Sequence, residues 1–379
     1  MKNFSLKGWI ILSIVLFAIL IFDSCYNNDH DADVVACDVN LDDLLKDTVS
    51  FDSVFCDVTF IPLENNRDGM LSFVSKMIVT KDYYIVLDFN TYPQVVLFSH
   101  DGDYKGTVGR LGHGRGEYEF IFDVSADMDG NIVLSTFDSF MVFDSGGNFV
   151  RSIKTNRDSF MKNVLCYQDG IVCATNYSSG ASSLLQFFDQ DYKWHHEMIS
   201  PDDVVLGNPP RMRNTLHVTG DTLCYFNPYT SEITLLDLSN YQTIKRYSIV
   251  SKNMLNMEKS QQENSGIDIG DVDAVYSYYL RDGKVISYLS LNESGTILEI
   301  DTETDGYRLS VPDGWFPEIC DVHDQYYYSI LSQEEFLELA KGELYTTGGT
   351  RMMISKACEK MNRILTEKDN YVIMKAKRR

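Results

Sequence analysis

Gly109 to Tyr118, GRLGHGRGEY, holds the densest set of groups able to do chemistry in this 379-residue chain. Two guanidiniums, an imidazole and a carboxylate (Arg110, His113, Arg115 and Glu117) stand among four glycines and lead to the phenol of Tyr118. Glycine at 109, 112, 114 and 116 permits positive φ and a close approach of backbone to a ligand. Two readings are open. In one, Arg110, His113, Arg115, Glu117 and Tyr118 form a ligand-binding loop at one mouth of a ring-shaped fold. In the other, the segment is a crossover between repeats, its glycines serve tight turns, and Glu117 caps amides or pairs with an arginine. It is not a phosphate-binding loop, because no Gly-Lys-Ser/Thr ending is present and the spacing fits neither nucleotide fingerprint.

A second set consists of oxygen donors. Asp88, Asn90, Asp138, Asn176 and Asn227 each follow a short β-rich run that reads as an inner strand, so their side chains are expected to converge on an axis where carboxylate and amide oxygens suit calcium. The same residue types are the ordinary occupants of strand ends and turns. Asp268, Asp271 and Asp273 miss the EF-hand spacing and read as a solvated loop. His195 and His196 are adjacent, which on a strand sends them to opposite faces, and they read as a surface turn. No G-x-S-x-G, H-E-x-x-H or C-x-x-C occurs, so no catalytic residue is assigned. Of eight cysteines, Cys25 has a separate role described below, and the odd remainder argues against a full disulfide framework. Cys37 with Cys56 is one conceivable bridge, while Cys173 and Cys224 read as small core residues.

The elements that must position these groups repeat. Val95 to Val108 alternates apolar residues around Asp101-Gly102, a hairpin pattern. It returns about 45 residues later at Met141 to Ile153 around Gly146-Gly147, and again at Phe188 to Tyr192, with weaker copies at Leu236-Asp237 and Ile300-Asp301. Ahead of each hairpin stands a polar turn and a β-rich run, as in Asp82 to Leu87, Gly130 to Ser135 and Asp169 to Ala174. Six such runs at a period in the forties, with several strands per copy, are the signature of propeller blades, each too thin to bury both faces alone. The expected fold is all-β, a six-bladed β-propeller over 55–379, with a short helical segment at 332–366 and a final closing strand at Asn370 to Lys377. Ser332 to Glu335 is a capping box for one helix stopped by Gly342, and Ile354, Cys358, Met361 and Leu365 form the stripe of a second over Ile354 to Leu365. A strand also remains near the start, at Val58 to Leu63, which closes the ring either by joining the last blade or by leaving the final strand to pair with the first. A polar, glycine-containing insert at about 251–274 falls between the fourth and fifth blades.

The first residues carry an address. Lys2 and Lys7 precede the apolar run Trp9 to Phe22, which at 14 residues is shorter than the ~20 that span a bilayer and reads as an export signal. Ser24 directly before Cys25 resembles a bacterial lipobox, which implies a signal peptide at 1–24 and lipidation of Cys25; the multiple acyl chains expected there suffice for stable anchoring. Residues 25–54 are expected to be an acidic tether. Net charge is −22, and removal of the signal makes it one unit more negative. Such a surface repels phosphate backbones, so nucleic acid is excluded as a partner class.

The lipobox, Phe60-Ile-Pro-Leu-Glu64, the hairpin repeat, the Gly109 to Tyr118 segment and the tail NYVIMKAK together resemble the six-bladed β-propeller lipoproteins of Bacteroidota, relatives of NHL-type propellers. In that family the glycine segment has proline where this chain has Arg115. The resemblance implies the fold and an envelope location, and it implies no reaction; the protein is expected to be a monomer, an outer-membrane lipoprotein facing periplasm or cell surface. The expected role is noncatalytic binding or scaffolding of a protein, peptide or glycan without a cofactor. The alternative is a calcium-assisted hydrolase or lyase at the axial mouth.

Overall fold

The structure is a computed structural model that describes residues 34, 36–42, 44, 46–89, 93–155, 161–168, 170–175, 183–199, 214–228, 230–252, 274–291, 294–342, 344, 347–361, 365 and 371–379. Cys25, Asn90, Asn176, Asp268, Asp271 and Asp273 lie outside the described residues, as do 253–273 of the expected insert.

Six antiparallel sheets form a six-bladed β-propeller. Blade one contains Val74–Val79, Tyr84–Asp88, Gln94–Phe98 and Tyr104–Thr107, and blade two contains Asp123–Ala126, Ile132–Ser135, Ser139–Phe143 and Phe149–Lys154. Blade three runs Met161–Tyr167, Gly170–Thr175, Leu185–Asp189 and Trp194–Met198. Blade four runs Leu216–Thr219, Thr222–Asn227, Glu232–Asp237 and Gln242–Val250. Blade five runs Ala274–Arg281, Lys284–Leu291, Ser294–Asp301 and Tyr307–Pro312. Blade six takes Asp321–His323, Tyr326–Leu331 and Val372–Arg378 from the end of the chain and Phe55–Pro62 from its beginning. Of the two closures left open by the sequence, the early strand joins the last blade: Met374 pairs with Phe60 and Val372 with Pro62.

The β-rich runs that suggested inner strands are the second strand of each blade, one step from the axis. The reason is burial. In Tyr84–Asp88, Tyr84 and Val86 pack toward blade six while Ile85 and Leu87 pack toward blade two, so both faces are apolar and the run stands out in sequence. One apolar cluster fills each of the six blade interfaces. Between blades two and three, for example, Phe140 and Phe188 meet edge to face at 5.1 Å. The third and fourth strands form the repeated hairpin, and an aspartate caps its turn: Asp144 accepts from the amides of Gly146 and Asn148, Asp189 from those of Asp191 and Lys193, and Asp301 from those of Glu303 and Thr304. In blade one the turn needs Gly102, at φ +87°, where a Cβ would stand 2.2 Å from the Pro62 carbonyl oxygen.

The expected tether is corrected from Cys37 onward. Cys37–Asn40 adds a fifth, parallel strand to blade four, and Lys46–Val49 does the same to blade five. A single helical turn, α1 (Phe51–Val54), then leads into the blade-six strand. Polar composition had masked this belt: among its described residues, Val39 and Leu41 turn fully inward. Cys37 and Cys56 consequently sit on the rims of different blades, and both are free thiols.

Two longer helices interrupt blade six. In α2 (Gln333–Lys341) the Ser332 side chain accepts from the Glu335 amide, and Gly342 ends the helix at φ +82°, as the capping box implied. The second helix begins earlier than its apolar stripe suggested: α3 is Gly348–Glu359, opened by Thr347, whose side chain accepts from the Thr350 amide. Thr347 and Thr350 both donate to Asp52 of α1, at 3.0 and 2.7 Å, a contact between the chain's two ends.

Candidate functional site

In an up-and-down blade, the connections between second and third strands leave at the same end as those from the fourth strand to the next blade. We refer to this end as the upper face. Gly109 to Tyr118 is such a crossover, running from blade one to blade two on that face, toward the rim rather than at the axial mouth. Arg110-Leu111 pairs in parallel with Glu117-Tyr118 and closes the residues between into a tight loop. The Gly112 amide donates to the Tyr118 carbonyl at 3.0 Å.

Glu117 is the loop's hub. One carboxylate oxygen accepts from Arg110 at 2.6 Å, and the other accepts from the Gly114 amide at 2.8 Å. These bonds, the Gly114 amide foremost and Arg110 next, hold its carboxyl below the usual range. Gly116 adopts φ +78° with Phe149 beneath it, where a Cβ would come within 2.8 Å of the Phe149 Cβ. Tyr118 is buried between blades one and two, and burial pushes its phenol up to about 12. Of the five residues singled out, Arg110 and Glu117 therefore lock the loop, and Tyr118 belongs to the core. His113 and Arg115 project outward. His113 Nδ1 lies 2.8 Å from Glu119, and the Arg115 guanidinium sits 5.8 Å from the centre of the Phe149 ring, with no carboxylate partner among the described residues.

The loop forms one wall of an open groove of about 590 Å³; the turn Thr136 to Ser139 and the outer strands of blade two form the other. Phe120, Phe137 and Phe149 line the groove. Phe120 and Phe137 lie 5.6 Å apart, and outside the lining Phe122 packs on Phe137 at 5.2 Å and Phe89 meets Phe120 edge to face at 5.6 Å. Phe137 is 48% exposed. These phenylalanines were missed in the sequence, although Phe137 in the polar turn Thr136-Phe137-Asp138 is apolar where a turn has no burial to offer it.

Of the oxygen donors, Asp88, Asp138 and Asn227 are described; they end or follow the second strands of blades one, two and four, one step out from the axis. The Asp88 carboxylate takes the amides of Ser72 and Phe73 and the Ser72 hydroxyl, capping the entry to blade one. Asp138 accepts from the Ser139 hydroxyl and pairs with Lys154, and Asn227 is buried in blade four. Among the described residues no three His, Cys, Asp or Glu side chains gather to hold a metal. His195 and His196 occupy the outer strand of blade three rather than a turn, and both approach the ring of Tyr241.

Sequence reading also missed the axis. The innermost strands are the first of each blade. Lys76 of blade one reaches Asp123 of blade two at 2.8 Å and the Val164 carbonyl of blade three at 3.3 Å, and Asp123 accepts from the Val164 amide at 2.7 Å. Burial pushes the Asp123 carboxyl up, and Lys76 opposes that shift. A charge inside an apolar run, as in Ser75-Lys-Met-Ile-Val79, was the available signal.

Comparison with solved structures finds likenesses of fold. A protein described as exported, from Bacteroides fragilis, superposes with a TM-score of 0.66 at 12% identity, over 90% of this chain and 100% of that one, a likeness of fold alone. A protein of unknown function from Bacteroides caccae (TM-score 0.41, 11% identity, 69% and 87% of the two chains) is more distant. So is PorZ, a surface component of the type IX secretion system of Porphyromonas gingivalis (0.40, 9%, 71% and 31%), and neither likeness carries an argument. A search of curated proteins returns no match. A family model described as a domain of unknown function (DUF4934) matches residues 36–377.

Proposed function

The chain belongs to the DUF4934 family, and from that premise and the groove we propose a noncatalytic binding propeller of the cell envelope that seats an extended protein or peptide segment, with a glycan as the competing ligand. The observation that carries this reading is the groove itself. About 590 Å³ of open space, lined by half-exposed Phe137 and by the Arg115 guanidinium, which has no carboxylate partner among the described residues, has the composition of a recognition site: apolar contact for affinity and a few polar groups for orientation. The loop needs no ligand to take its shape, because Glu117 and the parallel pair already hold it, which lowers the ordering cost of binding. Arg115, exposed at the groove wall in a chain of net charge −22, favours a ligand that presents a carboxylate beside an apolar side chain. Lipidation at Cys25 would hold the domain at the outer membrane, with the residues between Cys25 and the belt at Cys37 as the tether.

Screening the soluble domain, residues 34–379, on peptide and glycan arrays tests the reading against a Phe137→Ala/Arg115→Ala variant. Partial desolvation of one half-exposed phenylalanine and loss of one charge-assisted bond predict a roughly 10- to 100-fold loss of affinity. Binders that hold the variant equally well would place recognition elsewhere, and turnover of any arrayed substrate would contradict the noncatalytic role.

A further inference from the structure

A second site lies on the axis, apart from the groove. The first strands of blades four, five and six and of blade one enclose about 40 Å³, room for one small ion or roughly three waters. Four lining side chains keep a hydrogen-bond donor with no partner among the described residues. Ser277, 6% exposed, has a hydroxyl with no partner among the described residues. Asn214 spends its amide oxygen on the Leu216 N–H at 3.2 Å, which leaves its NH₂. His217 Nδ1 accepts from the Leu280 amide at 3.4 Å, and burial lowers its pKa to about 4, so the ring is neutral with its proton on Nε2. Lys76 has one ammonium proton beyond those given to Asp123 and Val164. On the acceptor side, each oxygen of Asp321 takes one amide, Oδ2 from Val79 and Oδ1 from Val322, at 2.6 and 2.7 Å.

We propose that this cavity binds one small monovalent inorganic anion of halide or nitrate size. Four unspent donors around one small space suit a ligand that accepts from several of them at once, and an unmet buried hydroxyl costs free energy until a partner arrives. The space excludes a sugar or a peptide. Asp321 is the charge that opposes an anion, and burial pushes its carboxyl up, toward the neutral form that does not.

The test replaces gluconate, too large for the cavity, by bromide at constant ionic strength while melting the wild-type domain and a Ser277→Ala variant. In gluconate the variant should melt at or above the wild type, because it lacks an unsatisfied hydroxyl. In bromide the wild type should rise with bromide concentration as for a single site, and the variant should need about tenfold more bromide for the same rise. Crystals soaked in bromide should show one anomalous peak within reach of Ser277, Asn214 and His217. Melting independent of bromide, together with water-only density in the cavity, would overturn the proposal, and so would equal bromide responses of the two proteins.

Discussion

Removing the Asp123 carboxylate should be among the most damaging single changes in this propeller. Asp123→Ala leaves the Lys76 ammonium, 8% exposed, without the partner it now meets at 2.8 Å. It also strips the Val164 amide of its acceptor, and three blades meet at that point. Breaking a buried pair from one side costs about 3–5 kcal/mol, which includes most of the penalty of the stranded charge. Replacing both members removes that penalty: Lys76→Met/Asp123→Leu should cost at least about 2 kcal/mol less than the sum of the single changes. Lys76→Met should be the milder single change, since burial already pushes the Asp123 carboxyl up and a captured proton neutralises it. Urea unfolding of the four proteins, with midpoints compared at a shared slope, measures the cycle. A loss under about 1 kcal/mol for Asp123→Ala, or strictly additive single and double changes, would refute the claim that this pair ties the blades together at the axis.

Further outcomes follow from the same contacts. Glu117→Gln should speed hydrogen exchange across 110–118 while leaving global melting nearly unchanged, since the hub is local to the loop. Gly116→Ala places a Cβ against Phe149 at φ +78° and should destabilise by about 1–3 kcal/mol in thermal or urea unfolding. Acid should weaken the hairpin turns: the carboxyls of Asp144, Asp237 and Asp301 are held low, by the Asn148 amide, the Ser239 hydroxyl and the Thr304 amide respectively. Because the unfolded chain binds those protons more readily, their contribution is complete above the ordinary carboxyl range and is withdrawn as pH falls through the lower folded values; Asp123 and Asp321, held high, act in the opposite sense. A pH series of melting curves for wild type and Asp144→Asn should therefore converge toward low pH. Metabolic palmitate should label the full chain and not Cys25→Ala, which should also leave the membrane fraction; an unlabelled wild type would remove the anchor from the proposed function.

Blade number, the hairpins and the first tail helix were legible in the sequence because each is local. Asp101-Gly102 and its counterparts set a turn within a few residues, second strands buried on both faces announce themselves as apolar runs, and Ser332 lies next to the amide it caps. The belt was not legible, since Cys37–Asn40 and Lys46–Val49 borrow their strand state from edges more than two hundred residues away. Nor was α3 placed correctly, because its start depends on Asp52 at the other end of the chain.

The candidate sites divide the same way. The residues alone determined that Gly109 to Tyr118 would be a tight, charged loop, for four glycines allow little else. Only the tertiary structure decided that Arg110 and Glu117 face each other, that Phe120 and Phe137 gather beside them, and that Lys76 of blade one finds Asp123 of the neighbouring blade beside the axis. A pattern in sequence records which way a side chain faces within its own element, whereas a groove or an axial cavity exists only between elements, where ring closure sets the distances.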